Sequence, residues 1–125
     1  MTWFVQIVMA IEFMHNQRTI HRDIKSENIL LDKDGMIKLA DFGTAKRFKT
    51  ANLGQTQRVK GTPLYMCPEM FQELTYDFAA DVWSLGVLLY YMCCLEYPFL
   101  PKDNTNAYIS LRNQVLKAED PPLPA

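Results

Sequence analysis

The stretch His21-Arg22-Asp23-Ile24-Lys25-Ser26-Glu27-Asn28 puts a carboxylate, an ammonium and an amide into one short loop, and Asp41-Phe42-Gly43 follows with a second carboxylate. Residues of these types suit phosphoryl transfer to a hydroxyl. That reaction needs a carboxylate to orient the nucleophile, cations to neutralise phosphate charge and oxygen ligands to hold a metal. Magnesium takes hard oxygen ligands, usually one or two carboxylates plus substrate phosphates. Asp23, Lys25, Asn28 and Asp41 meet this list only if the chain doubles back after Asn28 and returns Asp41 beside it.

The intervening sequence is built to double back. Asn28-Ile29-Leu30-Leu31 and Met36-Ile37-Lys38-Leu39 flank Asp32-Lys33-Asp34-Gly35, and Asp-Gly between two apolar runs predicts a hairpin turn. Upstream, Phe4, Ile7, Val8, Ile11 and Met14 recur at helical spacing and predict an amphipathic helix over residues 3 to 15, with no clear N-cap. A short strand over Arg18 to Ile20 leads into the loop. Residues 44 to 68 are polar and basic without periodicity, which predicts a long functional loop. Residues 81 to 95 read as a central helix, apolar on most faces and stopped at Tyr97-Pro98-Phe99-Leu100-Pro101. A final helix is expected over about Asn106 to Lys117.

The order of motifs resembles one family. His-Arg-Asp-x-Lys-x-x-Asn at 21 to 28 is followed by Asp41-Phe42-Gly43, then Gly61-Thr62 before Pro68-Glu69, then Asp81-Val82-Trp83-Ser84-Leu85-Gly86, then Pro98-Phe99. This set resembles the C-terminal lobe of a eukaryotic protein kinase, over nearly the whole chain. The resemblance implies an α+β, mainly α fold, with a small hairpin carrying the catalytic loop and the Asp-Phe-Gly motif. Residues 1–125 would be a partial kinase domain: catalytic loop 21–28, activation segment 41–69 and central helix about 81–95. The implied function is transfer of phosphate from ATP to serine or threonine hydroxyls of protein substrates, with Mg2+.

Carried over by residue, Asp23 would be the catalytic base and Lys25 would contact the transferring phosphoryl group. Asn28 and Asp41 would hold magnesium, and Leu30 would lie beneath the adenine. Thr62 would bond the base and the lysine, and together with Lys25 it resembles the serine/threonine branch. His21 and Phe42 resemble members of a hydrophobic spine, and Asp81 the anchor of the catalytic-loop backbone. Trp3-Phe4-Val5-Gln6-Ile7, Gly61-Thr62-Pro63 and Cys94-Leu95-Glu96-Tyr97-Pro98-Phe99 resemble the NIMA-related kinases, although the STE20-like group shares several of these features.

Simpler readings set the limits of this one. His21 and His15 read as packed structural residues, His15 tying the helix end to the loop that follows. Cys67 stands where the family has alanine, either as a small-for-small exchange or as a reactive thiol. Cys93 and Cys94 read as core. Glu27 resembles a position that prefers basic substrate residues in some branches, but Tyr91 replaces the second glutamate such branches carry. Arg22 before Asp23 implies regulation by a phosphate in the activation segment. The family's favoured site there is Arg58 in this chain, which leaves Thr56 as the substitute.

A net charge of −1 gives no strong attraction to nucleic acid or anionic lipid. No apolar run is long enough to span a bilayer. Three cysteines without a Cys-x-x-Cys pair argue against a disulfide framework or zinc site and for a reducing, cytoplasmic setting. No Gly-x-Gly-x-x-Gly occurs, and nothing upstream of Trp3 offers a strand lysine, so the N-terminal lobe is expected to be absent and to be needed for activity. Glu69, which pairs with a late arginine in the family, is expected to be partly buried and unpaired, and the exposed spine ends and adenine floor are expected to leave an apolar patch where the small lobe would sit. A catalytically inert, kinase-like binding or scaffold module is the alternative.

Overall fold

Two apolar faces nucleate the fold. In α1 (Thr2–Asn16), Ile7, Ile11 and Met14 lie at helical spacing and are buried, whereas Val8, expected on the same face, is exposed. In α3 (Ala79–Cys94), Ala80, Asp81, Ser84, Leu85, Val87 and Leu88 are buried. The computed structural model describes residues 2–40, 45–47, 63–103 and 105–117, with 46 and 47 described as backbone only.

Ile7, Ile11 and Met14 pack with Ile24, Tyr65, Leu85, Val87 and Leu88 in one core cluster. A second cluster joins Met66, Cys67, Met70, Phe71, Tyr76 and Ala80 to Leu111 and Val115 of α4 (Ala107–Lys117). Leu64 and Trp83 touch both clusters, so the segment before α2 (Pro68–Phe71) and the middle of α3 join the two halves. Burial of a side chain such as Leu88 or Ile24 contributes about 1.5–3 kcal/mol, so these helices are held by packing more than by propensity.

Both sheets are small and antiparallel. β2 (Ile29–Leu31) pairs with β3 (Ile37–Leu39) in the register Ile29↔Leu39, Leu30↔Lys38 and Leu31↔Ile37. The predicted turn closes them. Asp32 Oδ1 accepts the N–H groups of Asp34 at 2.8 Å and Met36 at 2.9 Å, and Gly35 takes φ +78°, a left-handed conformation that favours glycine. The Met36 N–H holds the Asp32 carboxyl below its usual range. Gln6 Oε1 of α1 accepts the Ile37 N–H at 2.8 Å and fixes the hairpin against the helix.

β1 (Thr19–Ile20) pairs with β4 (Lys46–Arg47), a strand inside the segment expected to be a long loop without periodicity. That segment also ends in a 3₁₀ turn over Pro63–Tyr65 and the short α2. The central helix ends at Leu95, which takes φ 57° and returns its N–H to Tyr91 O at 2.8 Å, ahead of the proline expected to stop it. Its last turns correct another expectation: Cys93 is exposed and Cys94 only half-buried. Apolar composition predicted burial there, but the described neighbours of α3 cover its first half.

Candidate active site

The loop after β1 is fixed from below by one buried carboxylate. Asp81, in the first turn of α3, is fully buried. Its Oδ2 accepts the His21 N–H at 2.9 Å and its Oδ1 accepts the Arg22 N–H at 2.9 Å. His15, near the end of α1, places Nε2 2.8 Å from the same Oδ2, with its ring 4.8 Å from that of Phe78. His15 therefore ties α1 to α3, and shares Asp81 with the backbone of the loop. Arg22 takes φ 71°, which non-glycine residues rarely adopt, and its bond to Asp81 holds it there. The backbone reversal at Arg22 sets the direction in which Asp23 leaves the chain.

His21 is fully buried and locks the other side of the loop. Its Nε2 lies 3.2 Å from Ala40 O, and its Nδ1 accepts the Asp23 N–H at 3.2 Å. A carbonyl can only accept and an N–H can only donate, so these bonds specify the tautomer protonated at Nε2. In that state both ring nitrogens are engaged in structural bonds.

Three of the sequence-predicted site residues meet here. Asp23 Oδ2 lies 3.4 Å from Lys25 Nζ and 3.3 Å from Asn28 Nδ2, and Asp23 O accepts from Asn28 Nδ2 at 2.8 Å. Asp23 and Asn28 are buried and Lys25 is half-buried. Asn28 ends a 3₁₀ turn over Ser26–Asn28. Its amide nitrogen is committed to Asp23, which leaves Oδ1 as a hard oxygen donor. The hairpin then returns the chain: Ala40 N donates to Asn28 O at 2.8 Å. Ala40 directly precedes Asp41, so the described backbone reaches Asn28 one residue short of the second carboxylate. Asp41, Phe42, Thr56 and Thr62 lie outside the described residues.

The other predicted residues fall into place around this set. Leu30 is 52% exposed, while Ile29, Ile37 and Leu39 pack against the core. Leu31 and Met36 are also about half exposed, so the hairpin does present apolar surface. Arg22 is half-buried and directly precedes Asp23. Cys67 is buried, and loss of solvation is the main cause that pushes its thiol up to about 12. A thiol held protonated is a poor nucleophile, so the small-for-small reading stands and the reactive one does not. Glu69 is exposed, and solvent carries its charge; the expected burial penalty does not arise. A cavity of about 250 Å³ lined by Glu69, Thr75, Tyr76, Asp77, Ala79 and Ala80 contains none of the predicted catalytic residues.

Sequence reasoning missed Ser84. Its hydroxyl donates to Tyr65 O at 2.9 Å, one turn along the same face of α3 as Asp81. It also missed the Ser26 N–H, which points to the Tyr65 hydroxyl at 3.4 Å. One helix thus positions both the 21–28 loop and the 63–66 segment. Neither contact has a local sequence signal, because the partners are 19 and 39 residues apart.

For magnesium, the donor set is sparse but of the right kind. Asn28 offers one amide oxygen, and Asp23 lies beside it. Among the described residues no group of three His, Cys, Asp or Glu forms a cage. A metal that takes most of its ligands from water and phosphate fits such a site better than one needing a full protein cage.

Comparison with known proteins agrees with the motifs. The family model described as "Protein kinase domain" matches residues 1–123. The chain is 38% identical over 125 residues to serine/threonine-protein kinase Nek3 of Mus musculus, covering all of this chain and 24% of that protein. It is 46% identical over 98 residues to serine/threonine-protein kinase Nek5 of Mus musculus, 78% of this chain and 16% of that protein. It is 42% identical over 122 residues to serine/threonine-protein kinase Nek3 of Oryza sativa subsp. japonica, 98% of this chain and 20% of that protein. The chain spans about a quarter or less of the length of these relatives. With a family match across almost its whole length, the chain belongs to the protein kinase domain family, and the relatives named above are serine/threonine-protein kinases.

Proposed function

We propose that the chain supplies the C-terminal-lobe part of a serine/threonine protein kinase that moves phosphate from ATP to protein hydroxyls in the cytoplasm. The observation that carries this reading is the convergence of Asp23, Lys25 and Asn28 on one loop whose backbone is bonded to a buried Asp81. Asp23 accepts or orients the proton of the acceptor hydroxyl, and Lys25, held beside it, meets the transferring phosphoryl group. Asn28 Oδ1 and the Asp41 carboxylate hold magnesium, which when bound neutralises the charge on the phosphates. Leu30 offers an exposed apolar surface to the adenine. Thr62 bonds the base and the lysine. A phosphate on Thr56, paired with Arg22, orders the segment that begins at Asp41.

Catalysis by such a set consists of positioning and electrostatics, so the arrangement of the loop matters more than the reactivity of any one group. No Gly-x-Gly-x-x-Gly lies within these residues, so the polypeptide of 125 residues on its own should transfer phosphate at no measurable rate. The direct test joins it to the glycine-rich, lysine-bearing lobe of a Nek relative and measures transfer to a serine peptide. Transfer should fall at least about 100-fold in Asp23→Asn, the usual scale for removing a positioned acid–base group. Equal rates in both proteins would overturn the phosphotransfer reading and leave the inert binding module.

A further inference from the structure

Gln6 stands on α1 one residue before the fully buried Ile7, and its Oε1 accepts the Ile37 N–H of β3 at 2.8 Å in a part-buried bond. Hairpin geometry explains why that N–H is open to α1. Asp32 N donates to Met36 O at 3.0 Å, and Ala40 N donates to Asn28 O at 2.8 Å, so 32 with 36 and 28 with 40 are bonded pairs. Bonded pairs alternate along an antiparallel ladder, which makes Leu31 opposite Ile37 a non-bonded pair. The Ile37 N–H therefore points away from β2, off the edge of a two-stranded sheet. Gln6 caps an edge donor that the sheet itself leaves open.

The hairpin is thereby held at two heights. At its base Ala40 is bonded to Asn28, and the Ala40 carbonyl faces His21 Nε2 at 3.2 Å. Three residues along the strand, about 10 Å away, Gln6 holds Ile37. A strand pair fixed only at its base can swing, and a second fixed point sets its tilt. Leu30, opposite Lys38, lies between the two points. Ile29, Ile37 and Leu39 also pack against the cluster that contains Ile7 and Ile11. That burial keeps hairpin and helix together but has no preferred direction, whereas a hydrogen bond has one. The same cluster contains Ile24, which stands between Asp23 and Lys25, so α1 is the shared support of the loop and the hairpin.

We infer that Gln6 is a positioning residue: through Ile37 it sets the tilt of the hairpin, and so the placement of Leu30 relative to Asp23, Lys25 and Asn28. Its consequence for an adenine nucleotide rests on the phosphotransfer reading. A nucleotide in that site meets Leu30 with its base and the loop with its phosphates. A change of tilt therefore weakens the fit of the base and spares that of the phosphates.

The test compares the 125-residue wild type with Gln6→Met, which keeps the length and removes the amide oxygen, and with Gln6→Glu, which keeps an acceptor. Circular dichroism checks the fold. Residual dipolar couplings of amides 29–31 and 37–40, measured against those of α1 and α3, report the tilt without ligand. Nuclear magnetic resonance titrations with ATP and with tripolyphosphate, both with Mg2+, separate base contacts from phosphate contacts. The hairpin couplings should depart from wild type in Gln6→Met and return in Gln6→Glu. Gln6→Met should bind ATP about fivefold more weakly, the scale of one hydrogen bond, with tripolyphosphate binding unchanged. Unchanged couplings in Gln6→Met, no return in Gln6→Glu, or equal effects on ATP and tripolyphosphate would each overturn the inference. So would fast hydrogen exchange of the Ile37 amide in wild type, a result that needs no variant to fold. Couplings that change as expected, in a wild type that gives no Mg2+-dependent ATP signal, would leave the tilt role standing and sink the phosphotransfer reading.

Discussion

Asp81 accepts two backbone N–H groups and faces His15, all within 2.9 Å, so both of its carboxylate oxygens are engaged. Asp81→Asn keeps the shape but replaces one acceptor oxygen with an NH2 group that must face a backbone N–H or the His15 ring. A buried donor facing a donor costs about 1–3 kcal/mol, and the amide groups of His21 and Arg22 should exchange faster. Urea unfolding combined with hydrogen exchange would check this; a stability change under about 0.5 kcal/mol with unchanged protection would remove Asp81 as the anchor. Cys67 gives a second expectation. Its ordinary value is 9.0 and burial raises it to about 12, so the folded state favours the protonated thiol. That contribution is fully present below pH 9 and is lost as pH rises from 9 toward 12, and the Tyr97 phenol, raised from 10.0 to about 12, acts in the same direction. Stability should therefore fall over that window, and Cys67→Ala should flatten the fall. An unchanged slope in Cys67→Ala, followed by pH-dependent urea unfolding, would count against it.

At the scale of elements, what was legible was what is local. The hairpin was readable because its apolar runs and its Asp-Gly turn lie next to each other, and the turn bonds to Asp32 run over two and four residues. α1 was readable from helical spacing, and the expected spans of α1 and α4 come within one residue of the observed ones. β4 was not, because it exists only through pairing with β1, at Thr19↔Arg47 and Ile20↔Lys46. α2 is four residues long and shows no period. Cys93 misled because apolar composition says that a turn would gain from burial, not that a partner reaches it. α3 also carries Gly86 in its interior, where an added Cβ meets nothing within 4 Å. Alanine is favoured over glycine in a helix interior by about 1 kcal/mol, so Gly86→Ala should raise stability by up to that amount. A loss of stability in thermal unfolding would mean that the glycine serves a close approach not present among the described residues.

For the whole molecule, the two core clusters meet at Leu64 and Trp83, and α3 runs between them. From that helix Asp81 reaches the 21–28 loop and Ser84 reaches the 63–66 segment, so packing of the core and aim of the candidate site are set together. The motif order identified the candidate residues in the sequence, and the structure brings three of them, Asp23, Lys25 and Asn28, together. The anchoring from α3 was not legible there, since it joins residues 59 to 66 positions apart. The central claim is that this anchored triplet is a magnesium-nucleotide site. Nuclear magnetic resonance titration of the chain with ATP, with and without Mg2+, tests it most directly, because it detects even weak binding residue by residue. The expected result is a Mg2+-dependent shift of the Asn28 side-chain amide together with Asp23 and Lys25, and loss of that Mg2+ dependence in Asn28→Ala. Shifts identical with and without Mg2+, or shifts that leave residues 23 to 28 untouched, would contradict it.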